Sequence, residues 1–270
     1  MDEQKQNIPI LLYHAIDPGG KHRERYAVGE GAFEKQMEYL QENAFTTYTL
    51  DAFFNNGRRT QEEQRGRKGI VLSFDDGYHS DYTSSLPILL RFGFKAVFFV
   101  TTGWIGAPDY LNWDQLKDMT EKGMSVQSHG VSHSHLSEMN EEQMVRELFE
   151  SKDLLEKKLR TRVNFFSLPG GYGSPRVMEA AKRIGFQGVC TSEPGLNRIY
   201  SGEETFRVFK RFLISRQTSA QSFQAIVDGR NIKIWASRTK DRFKSLAKKM
   251  IGPRRYYRLW AKYFKYLPRT

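Results

Sequence analysis

Apolar runs alternate with amphipathic segments along most of this chain. The apolar runs predict β-strands near Ile8–Tyr13, Thr46–Thr49, Gly69–Phe74, Lys95–Val100, Met124–Gln127, Asn164–Leu168, Gly188–Thr191 and Val208–Ile214. The segments between them predict helices with the sequences GAFEKQMEYLQEN, DYTSSLPILLRF, NWDQLKDMTEKG, NEEQMVRELFESKDLLEKKLR, SPRVMEAAKRIG and SAQSFQAIVDG. Strands that alternate with helices predict a parallel sheet covered by helices, either a (β/α) barrel or an open doubly wound sheet.

In both folds, functional residues collect where the parallel strands end. Four predicted strands are followed by polar residues: His14, Asp75 with Asp76, His129 with His133, and Pro169-Gly170-Gly171-Tyr172. Two acids at the end of a buried strand are costly to desolvate unless a cation or hydrogen bonds compensate them. The chain has no glycine-rich phosphate loop, so a nucleotide cofactor is not indicated.

His129 and His133 are four residues apart, a spacing that brings two side chains together if the backbone makes a helical turn. With an acid from another strand end they would form a two-histidine, one-carboxylate set, which suits Zn²⁺ or a similar divalent transition ion. The alternative is that the histidines belong to a polar loop and that Asp75 or Asp76 caps the following helix.

Five segments together resemble a known family: FDDG, FFVTTGWIG, LNWDQLKDM, SVQSHGVSHSHL and FFSLPGGYG. In order and spacing they are similar to the NodB-homology polysaccharide deacetylases, carbohydrate esterase family 4, from about Ile8 to Ile214. The resemblance implies an α/β fold, a distorted (β/α) barrel of seven or eight strands. It also implies metal-dependent removal of N-acyl groups, usually acetyl, from amino sugars.

The resemblance assigns a role to each residue of the paired-acid and paired-histidine motifs. Asp75 would be the general base, and Asp76, His129 and His133 would bind a divalent transition ion, with Zn expected and Co, Ni or Mn as alternatives. His135 falls outside this set and is expected to support it or to be structural.

The general acid departs from the commonest pattern of the family. Many relatives supply it from a late Leu-x-His motif, but the corresponding segment RVFKRFLISRQTSAQ contains no histidine. We expect His14 to replace it, because relatives that act on poly-N-acetylglucosamine carry a similar Tyr-His at their first strand. The alternative is a strand-end histidine bonded to a neighbouring carbonyl group.

The motif after the sixth predicted strand also differs from the pattern of the family. Relatives often read Phe-Arg-x-Pro-Tyr-Gly, in which the arginine orients the catalytic aspartate, whereas this chain has Ser167 at the arginine position. Either another cation, for example Arg211 or Lys210, approaches Asp75, or the base works with weaker support. Gly170 and Gly171 could offer backbone N–H donors to an oxyanion.

Gly171, Tyr172 and Trp113 are candidate substrate-binding residues, since aromatic rings stack on sugar faces. Packing is the alternative for both aromatic residues. Cys190 lies in a predicted buried strand and is expected to be a core residue.

The net charge of +11 at pH 7 is concentrated at the C-terminus. Residues 230–270 hold fourteen Lys and Arg against one acid, which leaves 28 basic and 30 acidic residues in the rest of the chain. This division predicts a barrel domain over residues 1–229 and a basic aromatic tail over 230–270. After Pro253 the apolar residues follow the spacing of a helix, at Tyr256, Leu259, Trp260, Tyr263 and Phe264.

A basic amphipathic helix of this kind suits an anionic membrane surface, and packing on the barrel is an equal alternative. Nucleic acid is not expected, because no nucleic-acid-binding motif accompanies the charge. The segment MDEQKQNIPILLYHAI has acids where a signal peptide is basic. We therefore expect a cytoplasmic protein, in solution or bound to the inner face of the membrane through its tail.

These features predict a metal-dependent N-deacetylase that acts on the amino sugars of a polysaccharide or a lipid-linked glycan precursor. Two other functions remain open. The same barrel could hydrolyse a non-sugar amide, or the chain could be a non-catalytic protein that binds a glycan or another anionic polymer.

Overall fold

A computed structural model describes residues 7–19, 26–56, 68–198 and 205–230. Residues 231–270 of the predicted basic tail lie outside the described residues, so the amphipathic helix and its membrane contact stay predictions. Within the described ranges, no helix has the length and apolar character needed to cross a membrane.

The described residues form strands and helices in alternation. The strands are β1 (Asn7–Tyr13), β2 (Ile16–Asp17), β3 (Val28–Gly29), β4 (Phe45–Thr47), β5 (Lys68–Asp76), β6 (Val97–Val100), β7 (Ser125–Ser128), β8 (Phe165–Ser167), β9 (Gly188–Cys190), β10 (Leu196–Arg198), β11 (Arg207–Phe209) and β12 (Phe212–Leu213). The helices are α1 (Glu30–Glu42), α2 (Leu50–Asn56), α3 (Leu86–Arg91), α4 (Trp113–Glu121), α5 (Glu141–Leu159), α6 (Pro175–Arg183) and α7 (Ala220–Val227).

The central sheet comes round on itself into a nearly closed barrel. Strands β1, β5, β6, β7, β8, β9 and β11 pair in that order, and all of these pairs are parallel. On its other edge β1 pairs in parallel with β12, which is separated from β11 only by Lys210 and Arg211. The predicted distorted (β/α) barrel is confirmed, and the open doubly wound alternative is wrong.

Every predicted strand is present, with changes at the last one. The run predicted as one strand at 208–214 is two short strands, because the backbone leaves the sheet at Lys210 and Arg211. Strands β2, β3 and β10 and helix α2 are additions that the periodicity did not predict. Helix α6 begins with a local signal, because Ser174 accepts a hydrogen bond from the Val177 amide and Pro175 occupies the first turn.

The barrel interior has an apolar floor and a polar mouth. The floor consists of Ile8, Ile10, Val71, Val97, Phe99, Phe165, Cys190 and Phe209, together with Leu50, Phe53 and Phe54 of α2, which closes the end where the strands begin. Side chains two residues apart share one face of a strand. The inward faces of Val71 on β5 and Phe165 on β8 therefore continue into Asp75 and Ser167 at the end where the strands finish. Arg211, which follows β11, joins them there through contacts with both side chains.

Candidate metal and catalytic site

Three predicted ligands meet at the mouth of the barrel. Asp76 is the last residue of β5, His129 directly follows β7, and His133 lies on the loop after it. The Nε2 atoms of His129 and His133 are 3.2 and 3.1 Å from Asp76 Oδ1. One ligand atom from each residue lies within 4.8 Å of the other two. The structure therefore contains a possible Asp/His/His metal site.

The hydrogen bonds of His129 show how this cluster fits a metal ion. His129 Nδ1 is 2.8 Å from the carbonyl oxygen of Ser167, which can only accept a proton, so Nδ1 is the donor. In the neutral ring, Nε2 then carries a lone pair. It faces Asp76 Oδ1, a buried atom without a hydrogen-bond partner among the described residues. Two acceptors this close repel each other unless a cation or a proton lies between them, and the donor set suits a divalent transition ion.

The charges around the cluster also favour a cation. Burial raises the pKa of Asp76, but its contacts with His129 and His133 hold that pKa well below its ordinary value. Burial lowers the pKa of His129, but the charge of Asp75 and then the contact with Asp76 raise it above its ordinary value. Positive charge is therefore stabilised where the ligand atoms converge.

The backbone at His133 is not the helical turn that the four-residue spacing suggested. His133 has a φ of 60° and Asp76 a φ of 82°, in the left-handed region that residues other than glycine rarely adopt. Glu147 on α5 holds the loop by accepting hydrogen bonds from the amides of Val131 at 2.7 Å and Ser132 at 2.9 Å. Strained backbone of this kind accumulates at functional sites, where the surrounding structure enforces it.

Asp75 is held by a buried arginine. Nη1 and Nη2 of Arg211 lie 2.7 and 2.8 Å from the two carboxylate oxygens of Asp75. Ser167 donates a hydrogen bond to Asp75 at 2.9 Å and accepts one from Arg211 at 2.8 Å, so the small serine leaves room for the guanidinium. Of the two cations expected to supply the missing charge, Arg211 is in place. Lys210 instead pairs with the exposed Glu193 at 3.2 Å.

This pairing keeps Asp75 ionised. Burial raises the pKa of Asp75, but the charges of Arg211 and then His129 lower it below its ordinary value. Asp75 Oδ2 lies 4.0 Å from His129 Nε2, beside the ligand cluster. Neither Asp75 nor Asp76 caps the next helical segment, because that segment begins after Ser80 and has no side-chain cap. An ionised carboxylate in this position can accept a proton in a reaction at the cluster.

His14 follows β1 and is half-buried at the same rim. Its Nδ1 atom is buried and has no hydrogen-bond partner among the described residues, so the structure does not support the carbonyl-bonded alternative. Its ring packs against Tyr26 with a centroid separation of 5.0 Å. The charge of His14 lowers the pKa of both Asp75 and Asp76, so the imidazole lies within electrostatic reach of the cluster.

The three candidate substrate-binding residues differ in what they contact. Tyr172, on the loop after β8, is 55% exposed. The Gly171 amide donates a hydrogen bond to the Leu168 carbonyl at 2.7 Å and is already engaged. Trp113 begins α4 and packs against the larger hydrophobic cluster, which includes Leu116 and Met119 of the same helix. The Lys158 ammonium lies 5.8 Å from its ring centroid. These contacts favour packing for Trp113 and leave Tyr172 accessible to a ligand.

His135 and Cys190 lie outside the ligand cluster. The imidazole of His135 lies against Gly170, where any side chain would overlap the ring. Cys190 is part of the apolar floor, and burial raises the pKa of its thiol to about 12. A thiol in that state is a core residue rather than a nucleophile.

Three residues at the site were not predicted from the sequence: Trp104, Glu147 and Asp81. Trp104 packs on His133, and Glu147 holds the histidine loop, so both act through contacts between distant segments. Asp81 is fully buried, and neither of its carboxyl oxygens has a hydrogen-bond partner in the described structure. Burial, then Asp76 and Asp75, raise its pKa well above the ordinary value. Asp81 could have been found from the sequence, because it is a third acid, five residues after Asp76 and close to the apolar run LPILL.

The mouth of the barrel thus holds an ionised carboxylate beside a possible Asp/His/His metal site. This arrangement is typical of a metal-dependent hydrolase. Comparison with known proteins shows which hydrolases the chain is similar to. The sequence profile of the polysaccharide deacetylase family matches residues 62–189. The Bacillus subtilis (strain 168) protein YxkH, assigned by its name to the polysaccharide deacetylases, is 29% identical over 226 residues, which are 84% of this chain and 78% of YxkH.

Two further matches agree. The poly-β-1,6-N-acetyl-D-glucosamine N-deacetylase of Staphylococcus aureus (strain MRSA252) is 23% identical over 181 residues, 62% of this chain and 61% of that protein. The structure of the Streptococcus pyogenes deacetylase PplD in complex with acetate superposes with a TM-score of 0.74 at 24% identity, over 83% of this chain and 99% of PplD, which shows the shared fold. The chain is similar to the polysaccharide deacetylase family over residues 62–189. The relatives that it matches are named deacetylases, which agrees with the predicted enzyme class, a hydrolase of amide carbon–nitrogen bonds.

Proposed function

We propose that this protein is a metal-dependent N-deacetylase that removes acetyl groups from the amino sugars of a glycan. The observation that carries the proposal is the convergence of Asp76, His129 and His133 on one point. An ionised Asp75 lies directly beside that point. Zn²⁺ is the ion that this donor set suits best, because it combines two imidazoles and one carboxylate and leaves positions open for ligands.

A divalent ion held by Asp76, His129 and His133 would supply Lewis acidity toward the amide carbonyl and the attacking water. Asp75 takes the proton from that water as general base. Arg211 and Ser167 fix the orientation of its carboxylate through three hydrogen bonds. The carbonyl of Ser167 also fixes the tautomer of His129, so a single residue of β8 positions both the base and a ligand.

His14 gives a proton to the departing amine nitrogen as general acid. Its place at the rim, within electrostatic reach of both aspartates, supports this role. Its Nδ1 has no hydrogen-bond partner among the described residues, so no hydrogen bond through that atom holds the ring away from a substrate.

The substrate we propose is an N-acetylglucosamine-containing polysaccharide. Support comes from the Tyr13-His14 pair at the first strand and from the match to the Staphylococcus aureus enzyme, whose name gives that class of substrate. The exposed ring of Tyr172 at the mouth offers a surface on which a sugar can stack.

Acetate release from N-acetylated glycans tests the proposal. Because general-base catalysis typically contributes 10²- to 10⁴-fold, we expect Asp75→Asn to lose about that factor in kcat. Asp75→Asn should still hold the ion, whereas Asp76→Ala should lose it, which metal analysis of the purified proteins measures. An exposed substitution on α5, Phe149→Ala, is the matched control and should change neither quantity.

The outcomes separate the candidate functions. Turnover of poly-N-acetylglucosamine oligomers that depends on Asp75 supports the proposal. Turnover of non-sugar amides alone would replace the substrate. Unchanged acetate release by Asp75→Asn, or a wild-type protein that binds no divalent ion and releases no acetate, would overturn it.

A further inference from the structure

The two histidine ligands are oriented by different means. His129 is fixed by the hydrogen bond from its Nδ1 to the Ser167 carbonyl. His133 has no corresponding hydrogen bond from its Nδ1 within the described structure, and its side chain is 31% exposed. Metal-binding histidines usually need a partner that sets the direction of the ring. Among the described residues, the contacts that can set the direction of the His133 ring are therefore packing contacts.

An aromatic column packs on the ring of His133. The Trp104 ring centroid is 5.0 Å from that of His133, and the Tyr110 centroid is 4.8 Å from that of Trp104. Tyr78 continues the column, stacked on Tyr110 at 5.3 Å with an angle of 19° between the rings. These separations lie within the range of favourable aromatic pairs.

The column joins the two backbone segments that carry strained ligands. Tyr78 lies two residues after Asp76, and backbone pairing of Tyr78 with Tyr110 ties the aspartate turn to the loop at 105–111. At the other end, the amide of Gly103 donates to the Val131 carbonyl at 2.9 Å, two residues before His133. Asp76 and His133, both in the left-handed backbone region, are thus linked through the rings as well as through the ligand cluster.

We propose that Trp104, Tyr110 and Tyr78 form a positioning brace, which holds His133 and the Asp76 turn in the geometry that binds the ion. The brace takes the place of the hydrogen bond that His133 Nδ1 does not make with any described residue. A metal-bound imidazole is electron-poor, so the electron-rich indole face beside it also stabilises the liganded state. This inference rests on the proposed metal site and goes beyond it, because it assigns metal affinity to residues outside the ligand set Asp76, His129 and His133.

Metal affinity of the full chain tests the brace without any use of activity. Removal of a residue that orients a metal ligand typically costs 10- to 100-fold in affinity, so we expect Trp104→Leu to weaken the Kd for Zn²⁺ by about that factor in competition with a chelator. Trp104→Phe keeps a stacking ring and should stay within about three-fold of wild type. Phe149→Leu, at an exposed aromatic position on α5, is the matched control and should not change the Kd.

A second readout separates positioning from general packing. Zn²⁺ should raise the Tm of Trp104→Leu less than that of wild type at the same ion concentration, because a weaker Kd reduces stabilisation by ligand. If the folded variant, checked by circular dichroism, binds Zn²⁺ within two-fold of wild type, the brace is wrong. If Trp104→Leu does not fold, Tyr110→Leu is compared with Tyr110→Phe, and equal affinities for these two would overturn it.

The same measurements distinguish this inference from the proposed function. A wild-type protein that binds Zn²⁺ more tightly than Trp104→Leu but releases no acetate would keep the brace and reject the deacetylase. A protein that deacetylates glycans with equal affinity in both forms would do the reverse.

Discussion

Asp75 and His14 lie at the same rim of the barrel but are held in opposite ways. Asp75 is fixed by two hydrogen bonds from Arg211 and one from Ser167, and both side chains of the ion pair are almost completely buried. His14 is half-buried and packs against one described ring, that of Tyr26. Asp75 is therefore fixed by the folding of the barrel, whereas no described residue holds His14 through a hydrogen bond to its Nδ1 atom.

This difference has a physical reason. An anion inside a barrel must be compensated in the free protein, since an unpaired buried charge would destabilise the fold. A half-buried imidazole at a rim carries no such penalty, so its position is not enforced by stability. Substitutions at the two sites should consequently fail in different ways.

The largest effect is expected for Arg211→Met, which leaves the buried Asp75 without its counter-charge. Loss of one partner of a buried ion pair typically costs about 3–5 kcal/mol in the free energy of unfolding. In wild type the lowered pKa of Asp75 means that the pair stabilises the fold above the unfolded pKa and loses this contribution as the pH falls through the folded pKa. In the variant the pKa should rise, so the acid limb of kcat/KM should move to higher pH.

Lys210 is the matched control for Arg211. It precedes Arg211 in the chain but pairs with Glu193 on the surface, where ion pairs contribute little. Lys210→Met should therefore leave urea unfolding and the pH–rate profile unchanged. An Arg211→Met protein with wild-type stability and an unmoved acid limb would show that Asp75 is compensated in some other way.

His14→Ala is expected to give a smaller loss, and one confined to catalysis. Loss of a general acid typically lowers kcat by about 10²- to 10⁴-fold. The Kd for Zn²⁺ and the Tm should stay near wild type, because His14 Nδ1 makes no hydrogen bond with the described residues. The loss should shrink for an acetyl ester with a good leaving group, which departs without a proton. Equal losses on the amide and on such an ester would exclude the acid role.

The Asp75–Arg211 ion pair could be inferred from the sequence, because each residue is a charge within an otherwise apolar run. Asp75 is the next-to-last residue of the buried strand β5, and Arg211 lies in the apolar run of Val208–Ile214, two residues after the buried Phe209. One charge of each sign on inward faces predicts an ion pair across a barrel. The chain thus contained the signal for Arg211, although Lys210 could be excluded only by the structure.

The conformations of the connecting loops were not predictable in the same way. The convergence of His129 and His133 depends on a left-handed residue held by Glu147, and that contact joins segments about fifteen residues apart in the chain. Helix α2 is short and has weak propensity, and it forms because Leu50, Phe53 and Phe54 fill the floor of the barrel. Periodicity predicts which faces are buried, but tertiary contacts decide how such loops and short helices are arranged.

The smallest effect is expected where a buried carboxyl has no counter-charge. Asp81 is as buried as Asp75, but neither of its oxygens has a partner among the described residues, and its pKa is raised instead of lowered. Folding then requires Asp81 to bind a proton, which costs more free energy as the pH rises above the unfolded pKa of about 3.9, by about 1.4 kcal/mol per pH unit up to the folded pKa.

Asp81→Asn removes this requirement, so the variant should be more stable than wild type at pH 7 by about 1–3 kcal/mol. Its advantage should shrink as the pH is lowered toward 4, which urea unfolding at several pH values measures. Asp75→Asn should behave in the opposite sense, because it removes an anion that Arg211 stabilises at pH 7. A loss of stability in Asp81→Asn that is the same at every pH would mean that Asp81 is held by a fixed hydrogen bond, and the contrast between the two carboxyl groups would then have to be abandoned.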